Sequence, residues 1–261
     1  AGEESKLNVF RRGDDPYCVF ASFALGRPIT KQGDPRARQE VGKVGELAFG
    51  YGGGVGAWRN FDDSDRFDDD EVNDFKKSWR RQHPKIARPP WECDYKDEWG
   101  LWYRLEDAAI NAVLHGRAET HGIAYEMRGA WLVCTLPSSR TICYYDPRIE
   151  EVEKFGRQSL QLSYMSLKKG QWQRVTTWGG KLAENVTQAA CRDVLVPGVL
   201  RADPEMPVVM TVYDEAISEI PENFKNPVDR LISYMIEDLP DWCASWPIKA
   251  NGWAEKRYRK D

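Results

Sequence analysis

The segment GYGGGVG at 50–56 constrains this chain more than any other stretch. Glycine loses more backbone freedom on folding than any other residue, so such a run is poor inside a helix. A helical pattern opening at about Pro35 must therefore stop there. Ahead of it, the first ten to twelve residues predict a short helix capped by Ser5 and stopped by Gly13. A second helix opens at Asp15, with Pro16 at its first position, and closes at Gly26. Tyr17, Phe20, Ala21 and Ala24 share one of its faces, and residues 26–35 read as a loop.

Beyond the glycines, residues 62–74 carry eight acids and one arginine, whereas 75–88 carry six bases and no acid. Two readings stay open: a basic surface facing phosphates, or a helix with acids at its start and bases at its end, matching the macrodipole. A helix is predicted over about 70–82, with Val72, Phe75 and Trp79 as its stripe. Residues 88–100 are irregular, and 104–116 form a helix ending at a glycine. From Gly122 to about Ile149, alternation predicts strands, with a turn at Ser138-Ser139. A long helix follows over about 180–196. VVMTV (208–212) and AISEI (216–220) read as a hairpin joined by Tyr213-Asp214-Glu215. Asn226-Pro227 opens a helix to about Leu239, striped by Val228, Leu231, Ile232, Met235 and Leu239.

With 261 residues, 41% apolar and 30% charged, the chain suits one large or two small globular units. Its apolar runs are far shorter than a membrane span, its first residues do not read as a secretory signal, and no membrane partner is expected. Six scattered cysteines without a CxxC pair argue against zinc and imply no disulfide, so an intracellular protein with free thiols is expected. The net charge of −4 does not advertise nucleic-acid binding, although the distribution of charge matters more than the sum.

Three constellations could carry chemistry. Asp214 and Glu215, adjacent carboxylates in a tight turn, offer oxygen ligands to a hard divalent cation; a solvated hairpin turn is the plain alternative. Arg36, Glu40, Lys43, Leu47 and Tyr51 recur at helical spacing. A cation near a helix start could hold a triphosphate, and an aromatic at its far end could stack on a base. The alternative is a surface helix whose far half is core. Lys181, Asn185, Gln188 and Arg192 share one face of the 180–196 helix, opposite Leu182, Val186, Ala189 and Val194. That face could reach phosphates, sugars and base edges, or simply meet water.

These signals occur together and in the order found in family A (polymerase I-like) DNA polymerases, phage type, which nearly the whole chain resembles. RQEVGKVGELAFGYGGGVGA, with Lys43 and Tyr51-Gly52, resembles motif B, here about 36–51. GGKLAENVTQAACRDVL resembles the helix that touches template and primer in the minor groove, and VVMTVYDEAISEIP resembles motif C. The opening residues resemble the stretch directly after motif A. The resemblance implies Asp214 as a magnesium ligand with Glu215 in support, Lys43 on the triphosphate, and Tyr51 beside the nascent base pair. It also implies Gln188, with its neighbours Lys181, Asn185 and Arg192, on the primer–template DNA. The reaction would join dNTPs to a primer 3′-hydroxyl through two magnesium ions.

Several positions depart from the family's pattern. Tyr213 and Tyr17 stand where histidines are usual, and Leu47 stands where an aromatic linked to sugar discrimination is common. Gln39 occupies the position of the family's arginine, so Arg36 and Arg38 share that assignment; an α-helix turns about 100° per residue, so Arg38 faces elsewhere unless the start is bulged. Motif A with its aspartate, the thumb and any exonuclease domain are expected outside this chain, from the same longer protein or a second chain. The expected fold is α+β: a mostly helical fingers subdomain with a β-ribbon over 1–170, then the C-terminal part of a palm over 171–261. The alternative function is a non-catalytic DNA-binding module; a sugar-binding domain, suggested by eleven tryptophans, is a weaker rival because core packing explains most of them.

Overall fold

A computed structural model of the protein describes residues 1–154 and 156–258. The fold is α+β and divides into two compact units, Ala1–Asn185 and Val186–Asp261.

The first unit opens with α1 (Glu4–Arg12) and α2 (Pro16–Leu25). Gly13 ends α1 in the left-handed conformation, φ 75°, as the glycine predicts. Ser5 is not its cap. Glu3 stands at that position, and its carboxylate accepts from the Ser5 hydroxyl at 2.7 Å and the Lys85 amide at 2.9 Å. Ser5 is instead the second helical residue, and its hydroxyl also donates to the Gln82 carbonyl at 3.1 Å. Asp15 does cap α2, accepting from the amides of Tyr17 and Cys18. The next helix is composite: α3 (Pro35–Ala37), a π-helical stretch (Arg38–Lys43) and α4 (Val44–Phe49), ending before the glycines.

After α5 (Val55–Arg59) comes α6 (Asp69–Gln82), started by a reciprocal capping box between Asp68 and Glu71. Its first turn holds Asp69, Asp70 and Glu71 and its last Arg80 and Arg81, the arrangement that favours the macrodipole. Val72, Phe75 and Trp79 are buried as the stripe requires. The core is aromatic: Trp58 stacks on Phe49 (centroids 5.5 Å apart) and meets Phe75 at 5.6 Å. One of the eight acids is part of this core, because Asp62 accepts from the Trp58 indole at 2.9 Å.

Helices α7 (Pro84–Ala87) and α8 (Leu101–His115) follow. The α8 face carrying Leu105, Ala108, Ala109 and Ala112 is fully buried, and α8 packs on an antiparallel sheet in simple meander order. Its strands are β1 (Arg117–Thr120), β2 (Ile123–Arg128), β3 (Trp131–Thr135), β4 (Thr141–Lys154), β5 (Arg157–Lys168) and β6 (Gln171–Thr176). Tyr125, Leu132, Cys134, Tyr144 and Leu162 are its buried side chains facing the core. The ribbon runs past the predicted strands: β4 continues to Lys154, and β5 and β6 occupy residues that the strand argument leaves unassigned.

Helix α9 (Gly179–Ala202) begins in the first unit and ends in the second. It runs six residues past the predicted end and carries Pro197 inside it. In the second unit, β7 (Val208–Val212) and β8 (Glu215–Ser218) form a two-stranded sheet, followed by α10 (Pro227–Ile236). Asn226 precedes α10 in the left-handed region (φ 50°) and makes no side-chain cap, so it sets the chain's direction rather than satisfying an amide. No helix among the described residues is long and apolar enough to cross a membrane.

Buried His83 ties α6 to α7: its Nδ1–H donates to the Trp79 carbonyl at 2.8 Å while its ring packs on the Trp79 indole. Desolvation, then the nearby Lys6 charge, depress its pKa. The folded state thus holds fewer protons than the unfolded one below about pH 6.5, the ordinary histidine value. Its contribution to stability is complete above that pH and is lost as pH falls through it. Urea midpoints should decline on acidification from about pH 6.5, and His83→Gln should flatten that part of the profile.

Candidate functional site

The first unit gathers the predicted nucleotide-binding residues around the π-helical stretch. Helix α2 lies so close to it that a Cβ on Gly42 would sit 2.1 Å from the Tyr17 carbonyl oxygen. Gly45 is equally tight against the Phe20 ring, at 2.1 Å. Only glycine tolerates such an approach of one helix backbone to another.

The widened turn also answers where Arg38 points. A π turn links residue i to i+5, so Arg38 and Lys43, five apart, stand on successive turns of one side, whereas α geometry would set them about 140° apart. The Arg38 guanidinium bonds Asp15 through Nε (2.6 Å) and lies 4.9 Å from the Tyr17 ring centroid. Asp15 therefore caps α2 with one oxygen and anchors Arg38 with the other. Burial by itself would raise the Asp15 pKa, but the bonds from Arg38 and from the Cys18 and Tyr17 amides outweigh it and hold the carboxyl below its ordinary value. Arg36 stands apart, exposed and paired with Glu40 at 2.6 Å.

Lys43 is half-buried, and no hydrogen-bond or ion-pair partner engages it among the described residues. Leu47, one turn on, is 42% exposed. The plain alternative, a far half buried as core, does not hold at this position: α4 buries Val44, Gly45, Ala48 and Phe49 instead. Tyr51 follows beyond the helix end, and a Cβ on Gly180 would meet its carbonyl oxygen at 2.0 Å. The start of α9 is thereby set against the residue that closes this face.

The α9 residues separate into two kinds. Lys181 pairs with Glu184 at 2.8 Å, and Asn185 donates to the Tyr144 hydroxyl at 3.1 Å. Those two are committed to the protein itself. Gln188 and Arg192 are exposed and without a partner among the described residues.

The hairpin of the second unit is tighter than predicted. Glu215 belongs to β8, paired with Val212, so the loop is Tyr213-Asp214 alone. Alternation places Glu215 in register with the strand, and two residues suffice to turn it. Tyr213 adopts φ 54°, rare for an aromatic residue, and is 89% exposed. Asp214 is exposed, while Glu215 accepts from the Tyr258 hydroxyl at 2.8 Å. Val209 and Met210, on β7, are 59% and 43% exposed, unusual for apolar strand residues. Burial, then the charge of Asp214, push up the pKa of the Cys191 thiol, although that residue keeps an exposed face. The hairpin tip therefore lies near α9.

Magnesium requires about six oxygen ligands in near-octahedral array. Asp214 and Glu215 have the right donor chemistry, but no cluster of three or more His, Cys, Asp or Glu side chains able to hold a metal exists among the described residues. These residues do not by themselves fit a two-ion site.

Sequence reasoning singled out Tyr17, Arg38 and Lys43 but missed that Asp15 joins the first two, a contact 23 residues apart. It also missed Cys191 and Tyr258, which no spacing marks.

Over its full length the chain is similar to the DNA polymerase of Bacillus phage SP02, with 33% identity across 265 residues covering 39% of that protein. The chain thus spans well under half the length of this relative. No family profile and no solved structure matches it. A relationship to a phage DNA polymerase extends across the whole chain.

Two outcomes test this geometry. Gly42→Ala should lower stability by about 1–3 kcal/mol, the usual cost of overpacking, read from urea midpoints; Gly54→Ala, where nothing lies within 4 Å, should leave it near the parent value. Asp214→Asn should lower the Cys191 pKa, seen as faster alkylation of that thiol near pH 8 by peptide mass spectrometry. An unchanged profile would place the hairpin tip away from α9.

Proposed function

We propose that this chain is the fingers (1–170) and C-terminal palm (171–261) portion of a family A DNA polymerase, which adds dNTPs to a primer 3′-hydroxyl inside a cell. The full-length similarity to a phage DNA polymerase carries this reading. The uncommitted Lys43 beside the exposed Leu47 supports it, because a free cation on an otherwise packed helix suits a triphosphate.

In this reading Lys43 binds the triphosphate, with Arg38 and Tyr17 alongside as one preformed group, and Tyr51 borders the base. Gln188 and Arg192 face the primer–template duplex from α9, with Tyr213 near the primer end. Lys181 and Asn185 act through packing, since both are already bonded internally. Arg36 and Arg38 are each paired with a carboxylate at 2.6 Å, and Arg38 has the stronger claim to the arginine role because the π turn sets it on the side of Lys43. Asp214, with Glu215 in support, is this chain's share of a magnesium site completed by a carboxylate from outside it, in the same longer protein or in a second chain. The exposed Val209 and Met210 fit a hairpin that takes a further strand there.

The test is primer extension with Mg²⁺ and dNTPs, using the chain alone and then with a polypeptide supplying the region before it. Extension on complementation, abolished by Asp214→Ala, is expected. Lys43→Ala should raise the KM for dNTP by about 10-fold or more, the worth of one charge-assisted bond. Salt-dependent DNA binding without extension in either format would point to the non-catalytic module instead.

A further inference from the structure

The six-stranded sheet packs one face against α8, and part of its other face carries exposed aromatic side chains. On that other face, register places Trp131 opposite Tyr145, Tyr145 opposite Met165, and Met165 opposite Arg174, with Leu167 opposite Trp172 one step along. The Trp131 and Tyr145 rings lie 4.7 Å apart, and Tyr145 meets Trp172 at 6.0 Å across β5. These rings are not core: Trp131 is 43% and Trp172 55% exposed, and the adjacent Leu167 is 66% exposed. Side chains that could have packed inward instead form a row of aromatic surfaces on the outside.

The charge around the row is one-sided. Residues 155–183 contain five bases and no acid. Lys168 and Lys169, at the turn joining β5 to β6, are exposed beside Trp172. At the β4 irregularity, the single carboxylate of Asp146 is shared by Arg148 and Arg174, leaving a net positive pair. Of the acids, Glu126 on β2 lies one pair along from Trp131 and is matched by Arg128, while Glu150, Glu151 and Glu153 lie further along β4, away from the rings.

Aromatic faces in a row, flanked by more cations than acids, are what single-stranded nucleic acid binds: bases stack on the rings and phosphates meet the cations. A protein partner would be served by the apolar surface but would gain nothing from the excess of cations. We propose that the outer face of β3–β6 is a binding platform for single-stranded DNA, with Trp131, Tyr145 and Trp172 as stacking surfaces. The sheet chemistry stands by itself; the choice of DNA as the strand rests on the polymerase reading above.

The probe is a fluorescein-labelled oligo-dT of about 20 nucleotides, ample for one such platform, beside a blunt duplex of mixed sequence. Oligo-dT should bind with affinity that falls as salt rises and should quench tryptophan emission. The double variant Trp131→Ala/Trp172→Ala should weaken oligo-dT binding by about tenfold or more, because two stacking surfaces are removed. Trp131→Phe/Trp172→Phe should retain most of it, and Tyr95→Ala, an exposed aromatic elsewhere, all of it. Lys168→Ala/Lys169→Ala should make the salt dependence shallower by about 0.7 for each phosphate no longer neutralised. Unchanged oligo-dT binding in the double alanine variant overturns the proposal, as does finding that these substitutions abolish self-association instead. Gln188→Ala/Arg192→Ala separates the two readings: the polymerase reading expects it to weaken the duplex and spare oligo-dT. Loss of oligo-dT binding in this variant alone sinks the sheet platform, while an unaffected duplex counts against the polymerase assignment and leaves the platform standing.

Discussion

The arrangement of the first unit depends on the backbone of α2 resting directly on the π-helical stretch. No side chain separates Gly42 from the Tyr17 carbonyl, and none could be inserted without moving a helix. Closeness at this point makes two other things possible. Asp15 can reach Arg38 while it caps its own helix. The aromatic core of Phe20, Phe49, Trp58 and Phe75 can also close beneath, with neighbouring rings at 5.5–6.3 Å. Packing of that density has few alternative solutions, so the helix that carries Lys43 and Arg38 is held in one orientation.

Polar groups fall into those used by the fold and those left over, and the distinction is informative. Asp62, Glu3, Asn185 and Lys181 were all part of charged or polar patterns in the sequence, yet each is bonded internally. Among the described residues, Lys43, Gln188 and Arg192 have no such partner. A cation held on a rigid helix without a counter-charge keeps its full capacity for an incoming anion, whereas one already paired must first break a bond. The tip at Tyr213 carries a cost of another kind: an aromatic at φ 54° costs about 1 kcal/mol or more, and the two-residue hairpin loop demands that conformation.

Helix starts and stops were readable because their causes are local. Gly13, Gly26 and Gly116 end their helices through backbone freedom that other residues lack, and Asp15 with Pro16 opens α2 through one side chain and one ring. The stripe of α6 was equally plain from its 3.6-residue period. Strands β5 and β6 were harder, although Leu160, Leu162 and Tyr164 do alternate with polar residues. Their other face is as apolar at Leu167 and Trp172 as a core face would be, which blurs the alternation that marks a half-buried strand. The long helix was read too short, since α9 continues through Pro197 to Ala202, with Gly198 packing against Met235 of α10.

By itself, the sequence determined most helix starts and stops, the hairpin carrying Asp214, and the ordered motifs that resemble a polymerase. These are consequences of short-range steric rules and of residue patterns within single elements. Only the tertiary structure decided which way Arg38 points, that Asp15 serves both helix and arginine, that Leu47 is outside rather than core, and that Trp131 and Trp172 stay exposed on one face of the sheet. Each of these depends on what another element places opposite. A π turn, a shared carboxylate or an exposed ring on a sheet is defined by partners tens of residues away, and no local period encodes them.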